Sequence, residues 1–144
     1  MFSKACEYGI RASIYIAEQS LQCNKVSLKE VAFAIESPEA YTSKILQQLV
    51  RERIIKSIKG PNGGFMIDNE KIETLKLSAI VLAIDGDSIY EGCGLGLSRC
   101  NDKMPCPVHH QFKAIRDNLK EMLTSTTLKS LALEVECGLT FLKR

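Results

Sequence analysis

The chain has 144 residues, of which 45% are hydrophobic and 25% charged, with a formal net charge of +2. That suits one compact core, or a small core with a protruding element, and it excludes a disordered chain. No apolar run approaches the roughly 18 residues of a membrane span, so no membrane partner is expected, and any nucleic-acid affinity must come from a local patch. The opening residues carry no signal-peptide core, which predicts a cytoplasmic protein. In that reducing setting six cysteines point to ligands or buried thiols, not disulfides. No internal repeat or low-complexity segment is visible.

Lys4 to Ser20 reads as a first helix, with Tyr8, Ala12, Tyr15 and Ile16 on one face. Ser27-Leu28-Lys29-Glu30 fits a capping box and starts a short second helix that turns Leu28, Val31, Ala32 and Ile35 inward. Ser37-Pro38-Glu39 signals a third start, with Ser37 as cap and Pro38 at the first helical position. On this third helix Ile45, Leu46, Leu49 and Val50 share one side. Tyr41, Ser43, Lys44, Gln47, Gln48 and Arg51 supply the other. Amides, a hydroxyl and cations with almost no acid are what a major-groove helix needs: Gln pairs with adenine, and Arg or Lys with guanine or phosphate. An ordinary solvated helix face has the same polarity, so this helix alone decides nothing.

The next segment tips the balance. Arg53 to Lys59 is β-branched and alternating, Gly60-Pro61-Asn62-Gly63-Gly64 turns, and Phe65-Met66-Ile67 returns. Asn-Gly between apolar runs is a strong hairpin signal. Three helices followed by a hairpin is the winged-helix order, with Lys56 and Lys59 on the wing, where cations meet phosphates or enter the minor groove. From Tyr41 to Gly60 five Lys or Arg stand against one acid, Glu52.

Leu77, Ile80, Val81 and Ile84 keep helical spacing up to Gly86, a left-handed cap. A loop at about residues 86–108 follows. Then comes a long helix with Phe112, Ile115, Leu119, Met122 and Leu123 on one stripe and Lys113, Arg116, Asp117 and Lys120 outside. That stripe either packs back on its own core or meets the same helix of a second protomer; the homodimer is the favoured reading. Thr126-Thr127 opens a last helix that buries Leu128, Leu131 and Val135. The predicted fold is thus mainly α with a small β-hairpin wing: a winged helix-turn-helix over residues 1–70, then a loop and dimerisation helices over 71–144.

The loop carries Cys93, Cys100, Cys106 and His109 at spacings Cys-x6-Cys-x5-Cys-x2-His. Thiolates and a neutral imidazole are soft ligands. Structural zinc sites usually have close Cys-x2-4-Cys knuckles, which are absent here. Wide spacing around Gly94, Gly96 and Ser98 suits an iron–sulfur cluster, and one histidine among the ligands is compatible with a 2Fe–2S centre. Spacing does not choose between His109 and His110. Glu7, on the first helix, could add an oxygen ligand from a partner protomer. Cys6, Cys23 and Cys137 are scattered and read as small, partly buried residues.

Three stretches resemble one family. Tyr8-Gly9-Ile10-Arg11-Ala12, Tyr41 to Leu49, and Lys59-Gly60-Pro61-Asn62-Gly63-Gly64-Phe65, together with the cysteine loop, look like the bacterial iron–sulfur cluster regulators of the IscR type and their nitric-oxide-sensing NsrR relatives. The resemblance implies a homodimer with crossing long helices on double-stranded operator DNA. It also implies a cluster, 2Fe–2S before 4Fe–4S, on Cys93, Cys100 and Cys106, with His109 or Glu7 as fourth ligand. Lys59 stands where the family often has arginine. The chain departs in two places: the Cys93–Cys100 interval is one residue longer than the commonest spacing, and Asn62 replaces a wing glycine. The expected function is a regulator sensing iron–sulfur, redox or nitric-oxide status, not an enzyme. The alternatives are a cofactor-free regulator sensing by thiol chemistry and a small iron–sulfur carrier or assembly protein.

Overall fold

Two serines set the first two helix starts, each by leaving its hydroxyl free to accept from the backbone three residues on. In the computed structural model, which describes residues 1–144, Ser3 accepts from the Cys6 amide at 3.0 Å and opens α1 (Lys4–Leu21). Ser27 accepts from the Glu30 amide at 3.2 Å while Glu30 reaches back to the Ser27 amide at 2.6 Å, which is the expected capping box of α2 (Leu28–Ala34).

The third start differs from expectation. Pro38 itself occupies the capping position of α3 (Glu39–Arg51), with extended ψ of 134°, and no side chain caps the helix. The Ser37 hydroxyl bonds to that of Thr42 instead. Thr42 is fully buried, so its hydroxyl must find partners locally, and it also donates to the Pro38 carbonyl at 2.9 Å.

Beyond α3, Arg53 takes a left-handed φ of 59°, and the Ile54 amide closes on the Leu49 carbonyl at 2.9 Å. Ile54 and Ile55 are therefore drawn into the core, and strand β1 (Lys56–Ile58) starts later than the alternating pattern suggested. It pairs antiparallel with β2 (Gly64–Met66), with Ser57 opposite Phe65. The turn is longer than a two-residue Asn-Gly loop: the Gly63 amide closes on the Gly60 carbonyl at 2.9 Å. Positive φ falls on Gly60 (102°) and Gly64 (151°), not on Asn62. At Gly64 a Cβ would meet the Val26 carbonyl at 2.8 Å, because Val26 and Phe65 exchange backbone bonds that fix the wing to the α1–α2 connection.

Two short helices carry no clear sequence signal: α4 (Asn69–Thr74), which buries Ile72, and α6 (Ser88–Glu91), inside the expected loop. Between them α5 (Leu77–Asp85) ends at Gly86 with φ of 74°, as its spacing predicted. The chain then runs through the cysteine loop into α7 (His109–Ser125) and α8 (Leu128–Glu136). Thr127 caps α8 by accepting from the Ser130 amide at 3.1 Å.

One core runs through both halves of the chain. Ile16, Ile35, Leu46, Leu49 and Ile67 belong to the same buried cluster as Ile72, Ile80, Val81, Leu123 and Leu128, and α5 and α8 both pack on α1. Gly9 lets α1 and α5 approach: a Cβ there would lie 2.1 Å from the Ile84 Cδ1. The long helix is anchored at its C-terminal end by fully buried Leu123, whereas Phe112, Ile115 and Met122 of the same stripe are 37%, 56% and 46% exposed in the single chain. No helix is long and apolar enough to cross a membrane.

Candidate functional site

The outward side of α3 separates into two groups. Lys44, Gln47 and Arg51 are exposed, and Ser43 accepts from Gln47 Nε2 at 3.3 Å, four residues on along the same face. Lys59 stands exposed beside the wing tip, and Lys56, also exposed, lies 3.8 Å from the Asp68 carboxylate. These six side chains lie on the outward side of α3 and on the wing. Gln48 does not: it is half-buried and its Nε2 donates to the Ala83 carbonyl of α5 at 2.8 Å. Tyr41 is half-buried as well, with its ring edge-on to Tyr8 at 5.6 Å between centroids. Both residues are held by packing, so the polar face is narrower than the helix periodicity implied.

The loop between α6 and α7 brings its three cysteines and the first histidine of α7 into two close pairs. Cys93 Sγ is 3.9 Å from Cys106 Sγ, and Cys100 Sγ is 3.3 Å from His109 Nδ1. His109 is 2% exposed, and its Nε2 donates to Asp102 Oδ1 at 2.6 Å. A carboxylate on one ring nitrogen leaves the other, in the neutral ring, as the lone-pair atom facing Cys100. Of the two adjacent histidines it is therefore His109 that turns into the loop, while His110 is exposed.

Backbone amides act on the first sulfur. The N–H groups of Leu95 and then Leu97 hold the Cys93 thiol below its ordinary value, assisted by Cys106 and Arg116. Gly94 lies flat on the Phe112 ring, where a Cβ would come within 2.4 Å of it, so this glycine has a packing reason on top of loop flexibility. Glu7 makes no hydrogen bond to the loop; it pairs with Lys4 at 2.9 Å, which holds its carboxyl below the usual range.

Those distances can be set against what a metal demands. Two thiolates on one tetrahedral centre at about 2.3 Å stand roughly 3.8 Å apart, and a thiolate with an imidazole nitrogen roughly 3.6 Å apart. Each close pair is thus near the separation that one shared metal atom imposes. No three such side chains converge to hold a metal ion. The donors form two separate pairs.

Two residues of the site escaped the sequence reading. Asp102 orients His109. Arg116, placed outside by helix periodicity, instead turns in: its Nη1 donates to the Gly92 carbonyl and its Nη2 lies 3.1 Å from Cys100 Sγ. The only available signal was its position two turns after His109, on the same helix face. The other three cysteines divide differently from expectation. Cys6 is fully buried, with its thiol pushed up to about 12 by burial and then by Asp85, whereas Cys23 and Cys137 are exposed.

A family model of iron-dependent transcriptional regulators, Rrf2, matches residues 2–134. The chain belongs to the Rrf2 family. It is 29% identical over 125 residues to the HTH-type transcriptional regulator CymR of Bacillus subtilis (strain 168), which covers 87% of this chain and 84% of CymR. The structure of CymR, described as the global cysteine regulator of B. subtilis, superposes with a TM-score of 0.74 over 92% of this chain and 96% of that one, at 24% identity. T. potens IscR superposes with a TM-score of 0.75 over 97% of this chain and 91% of its own, at 19% identity. At such identities the superpositions establish the fold, an Rrf2 winged helix. This Rrf2 protein is accordingly a DNA-binding helix-turn-helix transcriptional regulator, like its relatives, and not an enzyme.

Proposed function

We propose that this Rrf2 regulator is a homodimer whose hold on operator DNA changes with the state of an iron–sulfur cluster on Cys93, Cys100, Cys106 and His109. The observation that carries this reading is the pairing of the four soft donors, Cys93 with Cys106 at 3.9 Å and Cys100 with His109 at 3.3 Å. A two-iron cluster takes two protein ligands per iron, while a four-iron cluster takes one, so close pairs favour 2Fe–2S over 4Fe–4S. When bound, such a cluster supplies a centre open to oxidants and nitric oxide. The chain's own residues do the rest: Asp102 orients the imidazole, the Leu95 and Leu97 amides favour the charged Cys93, and Gly94 seats the loop on Phe112.

On DNA, Ser43, Lys44, Gln47 and Arg51 face the major groove and Lys56 and Lys59 the flanking phosphates or minor groove. The uncovered stripe of Phe112, Ile115 and Met122 meets its copy across a two-fold axis, so that two recognition helices address two half-sites. Glu7, half-buried on α1, remains the alternative fourth ligand, reaching the loop of a partner protomer.

The test is an absorbance spectrum of anaerobically isolated protein with iron and acid-labile sulfide analysis. Visible bands with matched iron and sulfide are expected; zinc, or no metal, overturns the cluster. A second reading is favoured by two observations: Cys93 and Cys106 are close, and the backbone amides of Leu95 and Leu97 hold the Cys93 thiol below its ordinary value. In that reading a peroxide takes two electrons and two protons from the pair as the disulfide forms, and the isolated protein is colourless.

A further inference from the structure

Residues 93–106 make few hydrogen bonds to the rest of the chain. Their backbone bonds stay within the loop or reach its end, such as Gly96 to Cys93 and Met104 to Asn101. Every hydrogen bond that leaves this segment ends on one of two residues, His109 or Arg116. Both stand on α7, seven residues apart, which at 3.6 residues per turn puts them on one face. Both converge on one sulfur: Cys100 Sγ has His109 Nδ1 at 3.3 Å and Arg116 Nη2 at 3.1 Å. The same guanidinium spans to the Gly92 carbonyl at the loop's start, and its Nε is buried with no partner. A planar fork with several fixed donors can bridge two acceptors in this way, whereas a lysine ammonium, a single point, cannot hold both in the same geometry.

We propose that Arg116 is the positioning residue that joins the sensing loop to the long helix, so that a change at the Cys100 sulfur is passed to the middle of α7. This rests on the loop being the sensor, and it adds the route by which the loop acts. The uncovered stripe of α7 runs beside that face: Phe112 lies one turn before Arg116 and Ile115 precedes it in the chain, so a shift of the guanidinium moves the residues placed to meet a second protomer. Coupling of this kind needs an element whose two arrangements the site biases differently. A bond that exists only while Cys100 Sγ is in reach provides one.

The test is a double-mutant cycle on the full chain without cluster, read by hydrogen exchange of the α7 amides from Lys113 to Lys120. Arg116→Met and Cys100→Ala, which removes the acceptor outright, are each expected to speed exchange there by roughly threefold to tenfold, the effect of losing one hydrogen bond of ordinary strength. The double variant is expected to exchange no faster than the faster single variant, because one interaction has been lost twice. Multiplied effects overturn the proposal. Arg116→Lys, which keeps the charge and the helix propensity, runs through the same cycle and is expected to restore only part of the protection; full restoration shows that charge alone suffices and overturns the bridging role.

In cluster-loaded protein, Arg116→Met is expected to leave iron and sulfide content unchanged and to lower the midpoint potential, since a donor near a ligating sulfur favours the added electron. An unchanged potential in loaded protein contradicts the contact to Cys100. If wild-type protein takes up no cluster, the cofactor reading fails while the exchange cycle still decides the role of Arg116.

Discussion

Gln48 gives its side-chain amide to the Ala83 carbonyl at 2.8 Å, and that bond divides the polar side of α3 into a part that holds α5 and a part that faces outward. Gln47, one residue earlier, is exposed. The pair predicts opposite phenotypes. Gln47→Ala should cost about 1–3 kcal/mol of discrimination between operator and altered sites, the worth of a bidentate base contact. Gln48→Ala should leave discrimination unchanged and lower unfolding stability by about 1 kcal/mol, the net worth of one hydrogen bond. Fluorescence-anisotropy titrations beside urea melts separate the two; loss of discrimination in Gln48→Ala would place it back on the reading face.

Lys59→Ala should weaken binding to all sequences alike and reduce the slope of log affinity against log salt by about 1, as expected for one phosphate contact. Titrations at several salt concentrations check this, and an unchanged slope removes the wing lysine from the interface.

The cysteines should differ sharply in reactivity when the protein carries no metal. Cys6, pushed up to about 12 by burial and Asp85, has a thiolate fraction at pH 8 roughly a thousandfold below that of an ordinary cysteine. Cys93, held below its usual value by the Leu95 and Leu97 amides, should be alkylated by iodoacetamide well before Cys6. Peptide mass spectrometry after brief labelling gives the order. Early labelling of Cys6 would mean that the α1–α5 packing opens readily.

Glu30 gives a pH signature. Its bonds to Ser27, the backbone N–H first, hold its carboxyl below the usual carboxylate range. A lowered folded-state pKa contributes stability above the unfolded value near 4.3, and that stability is lost as pH falls through the lower folded value. Glu30→Ala should therefore cost roughly 0.5–1 kcal/mol near neutral pH and progressively less as pH drops from 5 toward 3. Urea melts across that range check it; a constant deficit would assign the loss to helix propensity instead.

Ile115, 56% exposed in the single chain, sits mid-stripe on α7. Ile115→Lys should leave the fold intact and convert the proposed dimer to a monomer in sedimentation, with weaker binding to a two-fold operator. A variant that stays dimeric would move the interface elsewhere.

Much of the fold was legible because local chemistry decides it. The Ser27–Glu30 box, the Thr127 cap and Gly86 act within a few residues, and the winged-helix order follows from hydrophobic periodicity. What failed depended on partners that tertiary packing supplies. Ser37 turned to Thr42 because Thr42 is buried, and Ile54 and Ile55 left the strand for the core. Gln48 found Ala83 and Tyr41 found Tyr8. The soft donors were evident from residue type alone, yet their pairing and the inward turn of Arg116 were not, since both depend on how a loop with few backbone bonds lies on α7. Asn62 shows the same limit: the wing needed its positive φ at Gly60 and Gly64.

The most direct test compares operator affinity of one preparation with and without its cluster, by anaerobic titration against the DNA upstream of the chain's own gene. Loaded and cluster-free forms should differ by about fivefold or more, the range of ordinary allosteric coupling. Equal affinities in protein shown to hold matched iron and sulfide would contradict sensing through the Cys93, Cys100, Cys106 and His109 loop.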